Sequence, residues 1–142
     1  MKNSLTLLCF CFITISVSGQ SGQLQVGTAC VDVSPTVIPF QLRSGKSSYV
    51  HDPLHVRAVA FESGEGRAVI CLIDAIGIGR DMSDTAKTRA AERTGWNAEC
   101  MLVCATHTHS APKGGEGMPG REEYEKLKYQ KLEEAIVLAI QS

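Results

Sequence analysis

The chain has 142 residues, with 14 Lys and Arg against 15 Asp and Glu, and 44% of its residues are hydrophobic. This length suits one domain of ordinary globular composition, which argues against a disordered or fibrous protein. The nearly balanced charge argues against a strongly basic nucleic-acid-binding protein, so we expect no nucleic-acid partner.

Residues 1–19 have the pattern of a secretory signal peptide. Lys2 gives a positive start, an apolar stretch covers 5–17, and small residues follow at 16–19. The apolar stretch is shorter than the roughly 20 residues that a membrane-spanning helix needs, and an uncleaved anchor is the alternative. We therefore predict a secreted, periplasmic or extracellular protein whose folded region is 20–142.

Six cysteines fit export, and two of them lie in the signal peptide. The other four each lie in an apolar stretch, which favours buried thiols, while disulfides are the alternative with three pairings. A zinc site made of cysteines is not supported, because no Cys-x-x-Cys pair is present. These four are Cys30, Cys71, Cys100 and Cys104.

The first half of the chain reads as strands. Residues 26–33 predict a strand that Pro35 ends, because proline cannot continue a central strand. A long irregular segment over 36–53 follows, and loops of this length are often functional. Apolar runs over 54–62 and 67–73, separated by a glycine-containing turn, predict a β-hairpin.

The second half alternates helix, strand and helix. A helix over 81–94 is predicted, with Asp81 or Ser83 as its N-cap and Gly95 just past its end. Apolar residues at helical spacing predict a second helix over 121–140. Between them, the apolar run 100–105 predicts a short buried strand. The order of elements predicts an α/β fold with a mixed sheet and flanking helices.

The strongest chemical signal lies directly after this last strand. His107 and His109 follow its carboxyl end, which is where open α/β sheets bind ligands. Two histidines separated by one residue point the same way if the backbone is extended, and neutral imidazole is a common metal ligand. Hydroxyls at Thr106, Thr108 and Ser110 could orient the rings. A polar loop with two solvated histidines is an equally good interpretation of the spacing alone.

Other candidates carry weaker signals. His51 and His55 are four residues apart, but Pro53 opposes a helix between them, which favours a solvated loop. Asp74 at a strand end is either a turn or capping residue or a polar group that supports a site. Asp32 is most simply a turn former.

The motifs together resemble the neutral/alkaline, non-lysosomal ceramidases. The stretch 26–35 resembles the opening strand of that family, and 51–58 and 68–77 resemble the next two strands. Thr-His-Thr-His-Ser-Ala-Pro at 106–112 resembles the family's Thr-His-Thr-His-Ser-Gly-Pro signature. The resemblance extends over about 24–140 in the same order, and Ala111 replaces the usual glycine.

The resemblance implies a secreted or membrane-facing, zinc-dependent amide hydrolase. Such enzymes hydrolyse ceramide, an N-acylsphingosine, to a fatty acid and sphingosine. His107 would then be a Zn²⁺ ligand, and His109 a catalytic residue that contacts the substrate or the attacking water. The family's remaining ligands, another His, a Glu and a Tyr, come from downstream sequence. We therefore expect an incomplete, N-terminal part of a larger catalytic domain.

Two other interpretations remain open. One is a non-catalytic chain, either a truncated product or a binding module that retains part of the site. A self-contained zinc site would need His107 and His109 together with Asp74 or His51.

Overall fold

The computed structural model of the chain describes residues 22–42, 45–112 and 120–142. The predicted signal peptide over 1–19 lies outside the described residues. The strands are β1 (Gln25–Asp32), β2 (Phe40–Leu42), β3 (Gly45–Ser47), β4 (His55–Ser63), β5 (Gly66–Ile73) and β6 (Met101–Ala105). The helices are α1 (Arg80–Thr94) and α2 (Arg121–Gln141), with a single 3₁₀ turn at Ala98–Cys100 before β6.

Four strands form one mixed sheet in the order β1-β4-β5-β6. The first two pairings are antiparallel and the β5–β6 pairing is parallel. The predicted hairpin is present as β4 and β5, whose turn contains Gly64 in the left-handed region at φ +58°. The predicted α/β fold with a mixed sheet is thus confirmed.

The core lies between one face of the sheet and the two helices. Strand residues alternate between faces, so Val56, Ala58 and Ala60 of β4 point inward and are buried. From the helices, Met82, Ala86 and Ala90 of α1 lie four residues apart and are buried as well. On α2 the corresponding buried residues include Leu132, Ala135, Ile136 and Ala139.

The ends of α1 confirm one expectation and correct another. Gly95 ends the helix in the left-handed conformation at φ +74°, and its N–H donates to the carbonyl of Ala91. The N-cap is Gly79, with no side-chain capping bond, rather than Asp81 or Ser83. Glycine tolerates the N-cap position at little cost, so the helix can begin two residues earlier than a side-chain cap would allow.

The sheet is covered on one face, which corrects the expectation that 100–105 is a fully buried strand. Met101 is buried, but the next residue of β6, Leu102, is 57% exposed. Ile70, its partner in β5, is 47% exposed. The sequence could not show this, because a continuous apolar run does not reveal how much of each face of the strand is covered.

The described part of the segment 36–53 contains regular structure, where the sequence predicted an irregular segment. It contains the short antiparallel pair β2 and β3, in which Phe40 lies opposite Ser47. Phe40 is buried. Three-residue strands are too short to show a period of two, so the sequence predicted only an irregular segment.

The four cysteines of the folded region are free thiols with different environments. Cys71 is buried and Cys100 and Cys104 are half-buried, but Cys30 is exposed, where we expected a buried thiol. Within the described residues, no helix combines the length and apolar character needed to cross a bilayer.

Candidate functional site

The site is built on the loop that leaves the carboxyl end of β6. The backbone N–H of Thr106 donates to the carbonyl of Ile73 over 3.0 Å, which extends the parallel β5–β6 ladder by one residue. His107 then adopts φ +61°, a left-handed conformation that is uncommon outside glycine. The extended backbone that would make the two histidines point the same way is therefore not present at His107.

His107 is oriented by a backbone carbonyl. Its Nδ1 lies 2.6 Å from the oxygen of Ile76, in the turn after β5. A carbonyl oxygen only accepts, so Nδ1 carries the proton and donates it. In the neutral ring the lone pair is then on Nε2. The His107 residue is also exposed to solvent. This is the tautomer and second hydrogen bond that a histidine metal ligand normally has.

His109 lies beside His107. The two ring centroids are 5.3 Å apart, and the ring planes meet at 71°. Two imidazoles on one tetrahedral zinc, with Zn–N about 2.1 Å, would place their centroids roughly 5 Å apart. The spacing of His107 and His109 is therefore compatible with a shared ion as well as with separate roles.

A third ligand does not join them within the described part of the chain. Among residues 22–42, 45–112 and 120–142, no three His, Cys, Asp or Glu side chains come close enough to hold a metal ion. The self-contained site of His107, His109 and Asp74 or His51 is not formed there. These residues supply at most two of the four protein or water ligands that zinc takes.

A cleft of about 640 Å³ lies on one side of the loop. Thr108, Ser110 and Asp74 line it. Phe40 of β2 also lines it, as do Tyr49, His51 and Leu54 from the segment between β3 and β4. Its walls are mixed in polarity, as expected for a site that takes a ligand with both polar and apolar parts.

Asp74 connects the strands that carry this site. Its Oδ2 accepts the backbone N–H of His55 at 2.9 Å and Nη1 of Arg57 at 2.8 Å. Burial alone would raise the pKa of Asp74, but the bonds from Arg57 and His55 outweigh it and lower the pKa below its ordinary value. The sequence singled out Asp74 but gave no sign of its partner Arg57.

The remaining sequence candidates have separate roles. The imidazole of His51 is exposed and pairs with Asp52 at 3.1 Å. His55 lies in β4, where its Nδ1 is 3.2 Å from Nη2 of Arg57, so the two histidines do not form a ligand pair. Asp32 is a turn former as predicted, since its Oδ1 accepts the N–H of Ser34 at 2.6 Å.

A second cavity has a volume of about 590 Å³. It is lined by the 75–79 turn, including Ile76, and by Tyr124 and Lys128 of α2. Lys128 is buried and pairs with Glu125 at 2.8 Å, so its charge is balanced. The buried Tyr124 hydroxyl has no hydrogen-bond partner among the described residues. Sequence reasoning missed this group because the spacing of Tyr124 fits an ordinary core position.

The fold and the loop define an α/β domain with a histidine-bearing loop at the carboxyl end of a parallel strand. No protein-family model matches the chain, and no curated protein matches it. Solved structures do: the neutral ceramidase from Pseudomonas aeruginosa is similar with a TM-score of 0.69 and 18% identity over 83% of this chain. A ceramidase complexed with C2 is similar with a TM-score of 0.62 and 16% identity over 84% of this chain.

The predicted resemblance to neutral ceramidases is confirmed at the level of the fold. The match covers 21% of the length of each ceramidase, so this chain spans about a fifth of those proteins. At this identity the likeness is one of architecture, and activity has to be argued from the site.

Proposed function

We propose that this chain forms the N-terminal part of the active site of a zinc-dependent amide hydrolase of the neutral ceramidase type. Its substrate would be an N-acylsphingosine or a related N-acyl lipid, which is cleaved to a fatty acid and an amine. The fold likeness supports the class of enzyme, and the geometry of His107 supports the location of the site.

The observation that carries the proposal is the conformation of His107. A left-handed, non-glycine residue costs on the order of 1–3 kcal/mol and persists where the surrounding structure enforces it, often at functional sites. Here the enforced conformation places Nδ1 against the carbonyl of Ile76 and leaves Nε2 able to bind an ion. Because histidine adopts positive φ more often than most non-glycine residues, it is the bond from Nδ1 to Ile76, together with this φ, that supports the proposal.

His107 and His109 supply part of the set of ligands that zinc needs. The chemistry that zinc supplies when bound is polarisation of the amide carbonyl, as a Lewis acid, and a lower pKa of the attacking water. His107 would hold the ion through Nε2, and His109 would face the substrate or the attacking water. The other ligands would come from residues beyond those described here.

The cleft beside the loop would hold the substrate. The hydroxyls of Thr108 and Ser110 can donate to the polar part of an N-acyl lipid, while Phe40 and Leu54 offer apolar contact. A volume of about 640 Å³ lies within the usual range of small-molecule sites. The acyl length of the substrate does not follow from this geometry.

The test is amide hydrolysis by the natural polypeptide that contains this sequence, assayed with a fluorescent short-acyl ceramide. We expect activity that a chelator removes and zinc restores, and that His107→Ala abolishes without loss of the folded circular dichroism spectrum. Activity that survives both chelation and His107→Ala would overturn the proposal. No hydrolysis by the zinc-supplemented, folded wild type would favour a non-catalytic binding module instead.

A further inference from the structure

We infer that the face of the sheet opposite the two helices is an interface, and that its partner is an apolar layer of the same polypeptide from outside residues 1–142. The outward-facing side chains of β4, β5 and β6 form this surface, which we call the open face. The geometry that defines the open face does not depend on zinc, whereas one of the two arguments for its partner rests on the proposed function.

The register of the sheet aligns the side chains of the open face in rows that run across the strands. Val59 of β4 lies opposite Ile70 of β5, which in turn lies opposite Leu102 of β6. Directly opposed residues have their side chains on the same face, and the face changes with every residue along a strand. The open face therefore consists of three adjacent rows: Phe61 with Ala68; Val59 with Ile70 and Leu102; and Arg57 with Leu72 and Cys104.

The open face is apolar, and the described part of the chain does not cover it. Apart from Arg57, its side chains are aliphatic, aromatic or thiol, whereas the solvated face of an antiparallel sheet normally carries polar residues. None of them belongs to the core that the helices cover, and Ile70 and Leu102 are 47% and 57% exposed. Thr28 of β1 continues the middle row with a polar residue and limits the open face on that side. Soluble monomers rarely expose a large contiguous apolar patch, and such a patch is typical of an interface.

The one charged side chain of the open face is already paired. Nη1 of Arg57 donates to Oδ2 of Asp74 at 2.8 Å, and Nη2 of Arg57 lies 3.2 Å from Nδ1 of His55. An acidic lipid surface or a charged protein face would therefore find no free cation among the three rows of the open face. Burial of a charge without a partner is costly, so the open face fits a partner that is itself uncharged and apolar.

Two observations identify the remainder of the polypeptide as that partner. The chain spans 21% of each ceramidase that it matches, so proteins of this architecture contain much more polypeptide than this chain. Strand β6, which carries Leu102 and Cys104, ends at Ala105 and leads directly to His107. The zinc ligands that the proposed function still requires must approach His107, and a layer of polypeptide on the open face of β6 would lie beside that loop.

The experiment is carbene footprinting of the natural, folded polypeptide that contains this sequence, without lipid, with the labelled residues located by peptide mass spectrometry. Ile70 and Leu102 report on the open face. Leu138 of α2, at 45% exposure, is the matched exposed control, and the fully buried Leu132 of the same helix is the buried control. Each signal is divided by that of the same residue in the urea-unfolded polypeptide, which removes differences in intrinsic reactivity. The measurement is repeated after dilution, because a second copy would dissociate and a layer of the same polypeptide would not.

We expect Ile70 and Leu102 to be labelled as weakly as Leu132, at least about five-fold below Leu138, because the centre of an apolar interface is fully buried. Dilution should leave this protection unchanged. Labelling of Ile70 and Leu102 at the level of Leu138 would overturn the inference. Protection that disappears on dilution, or that appears only after phosphatidylcholine vesicles are added, would also overturn it, because the partner would then be a second copy or a membrane.

The outcome is separable from that of the proposed function. Protected Ile70 and Leu102 in a polypeptide that binds no zinc would remove the enzyme proposal and leave the interface intact. Zinc-dependent hydrolysis by a polypeptide whose open face is labelled like Leu138 would do the reverse.

Discussion

Replacement of Leu132 by alanine tests the packing of α2 against the sheet, on which the position of the whole site depends. Leu132 is fully buried in the core cluster. Truncation of a buried leucine removes its transfer free energy and leaves a cavity, which together cost about 3 kcal/mol within a range of about 2–5. For a domain of this size, each kcal/mol lowers Tm by roughly 3–6 °C, so a fall of about 10–15 °C is expected.

The matched control is Leu138→Ala on the same helix. Leu138 is 45% exposed, so the same chemical change there should alter the free energy of unfolding by about 0.5 kcal/mol or less. Both variants can be followed by urea unfolding with the fluorescence of Trp96, the one tryptophan of the chain, which is buried. Equal destabilisation by the two substitutions would refute the packing described for α2.

Three further predictions concern other parts of the structure. Gly27→Ala should destabilise the fold by about 1–3 kcal/mol in urea unfolding, because the new Cβ would clash with the carbonyl of Ala139, and an undiminished stability would contradict that close approach. The Cys30 thiol should react rapidly with a thiol reagent, whereas the Cys71 thiol, whose pKa burial raises to about 12, should react only on unfolding; early modification of the Cys71 thiol in peptide mapping would contradict its burial. The lowered pKa of Asp74 means that its stabilisation is complete above the unfolded pKa of about 3.9 and is lost as pH falls through the lower folded value. The difference in unfolding free energy between wild type and Asp74→Asn should therefore be constant above about pH 5 and shrink towards pH 3, and a difference that grows on acidification would contradict the direction of the shift.

The larger elements of the fold were predictable because they repeat a local pattern. Helical spacing predicted α2 over 121–140, and it ends at Gln141. The hairpin of β4 and β5 followed from two apolar runs and the glycine-containing turn between them. The left-handed end of α1 followed from Gly95, the residue type that prefers this conformation.

The site was predictable only in its residue types. The sequence pointed to His107 and His109, but a positive φ at a histidine is imposed by contacts from outside the loop, which local propensity does not reveal. The partnership of Arg57 with Asp74 joins residues 17 apart through sheet pairing. Such contacts depend on strand order and register, and the pairing of β5 with β6 across α1 was not fixed by any local pattern.

The proposed zinc site at His107 is tested most directly by the zinc content and zinc affinity of the natural polypeptide that contains this chain. Wild type and His107→Ala would be compared by elemental analysis and by competition with a zinc-binding dye, with His51→Ala as the control for an exposed histidine outside the loop. We predict one zinc per chain in the wild type and in His51→Ala, and none in folded His107→Ala. Stoichiometric zinc in His107→Ala, or its absence from the folded wild type, would contradict the assignment of His107 as a zinc ligand.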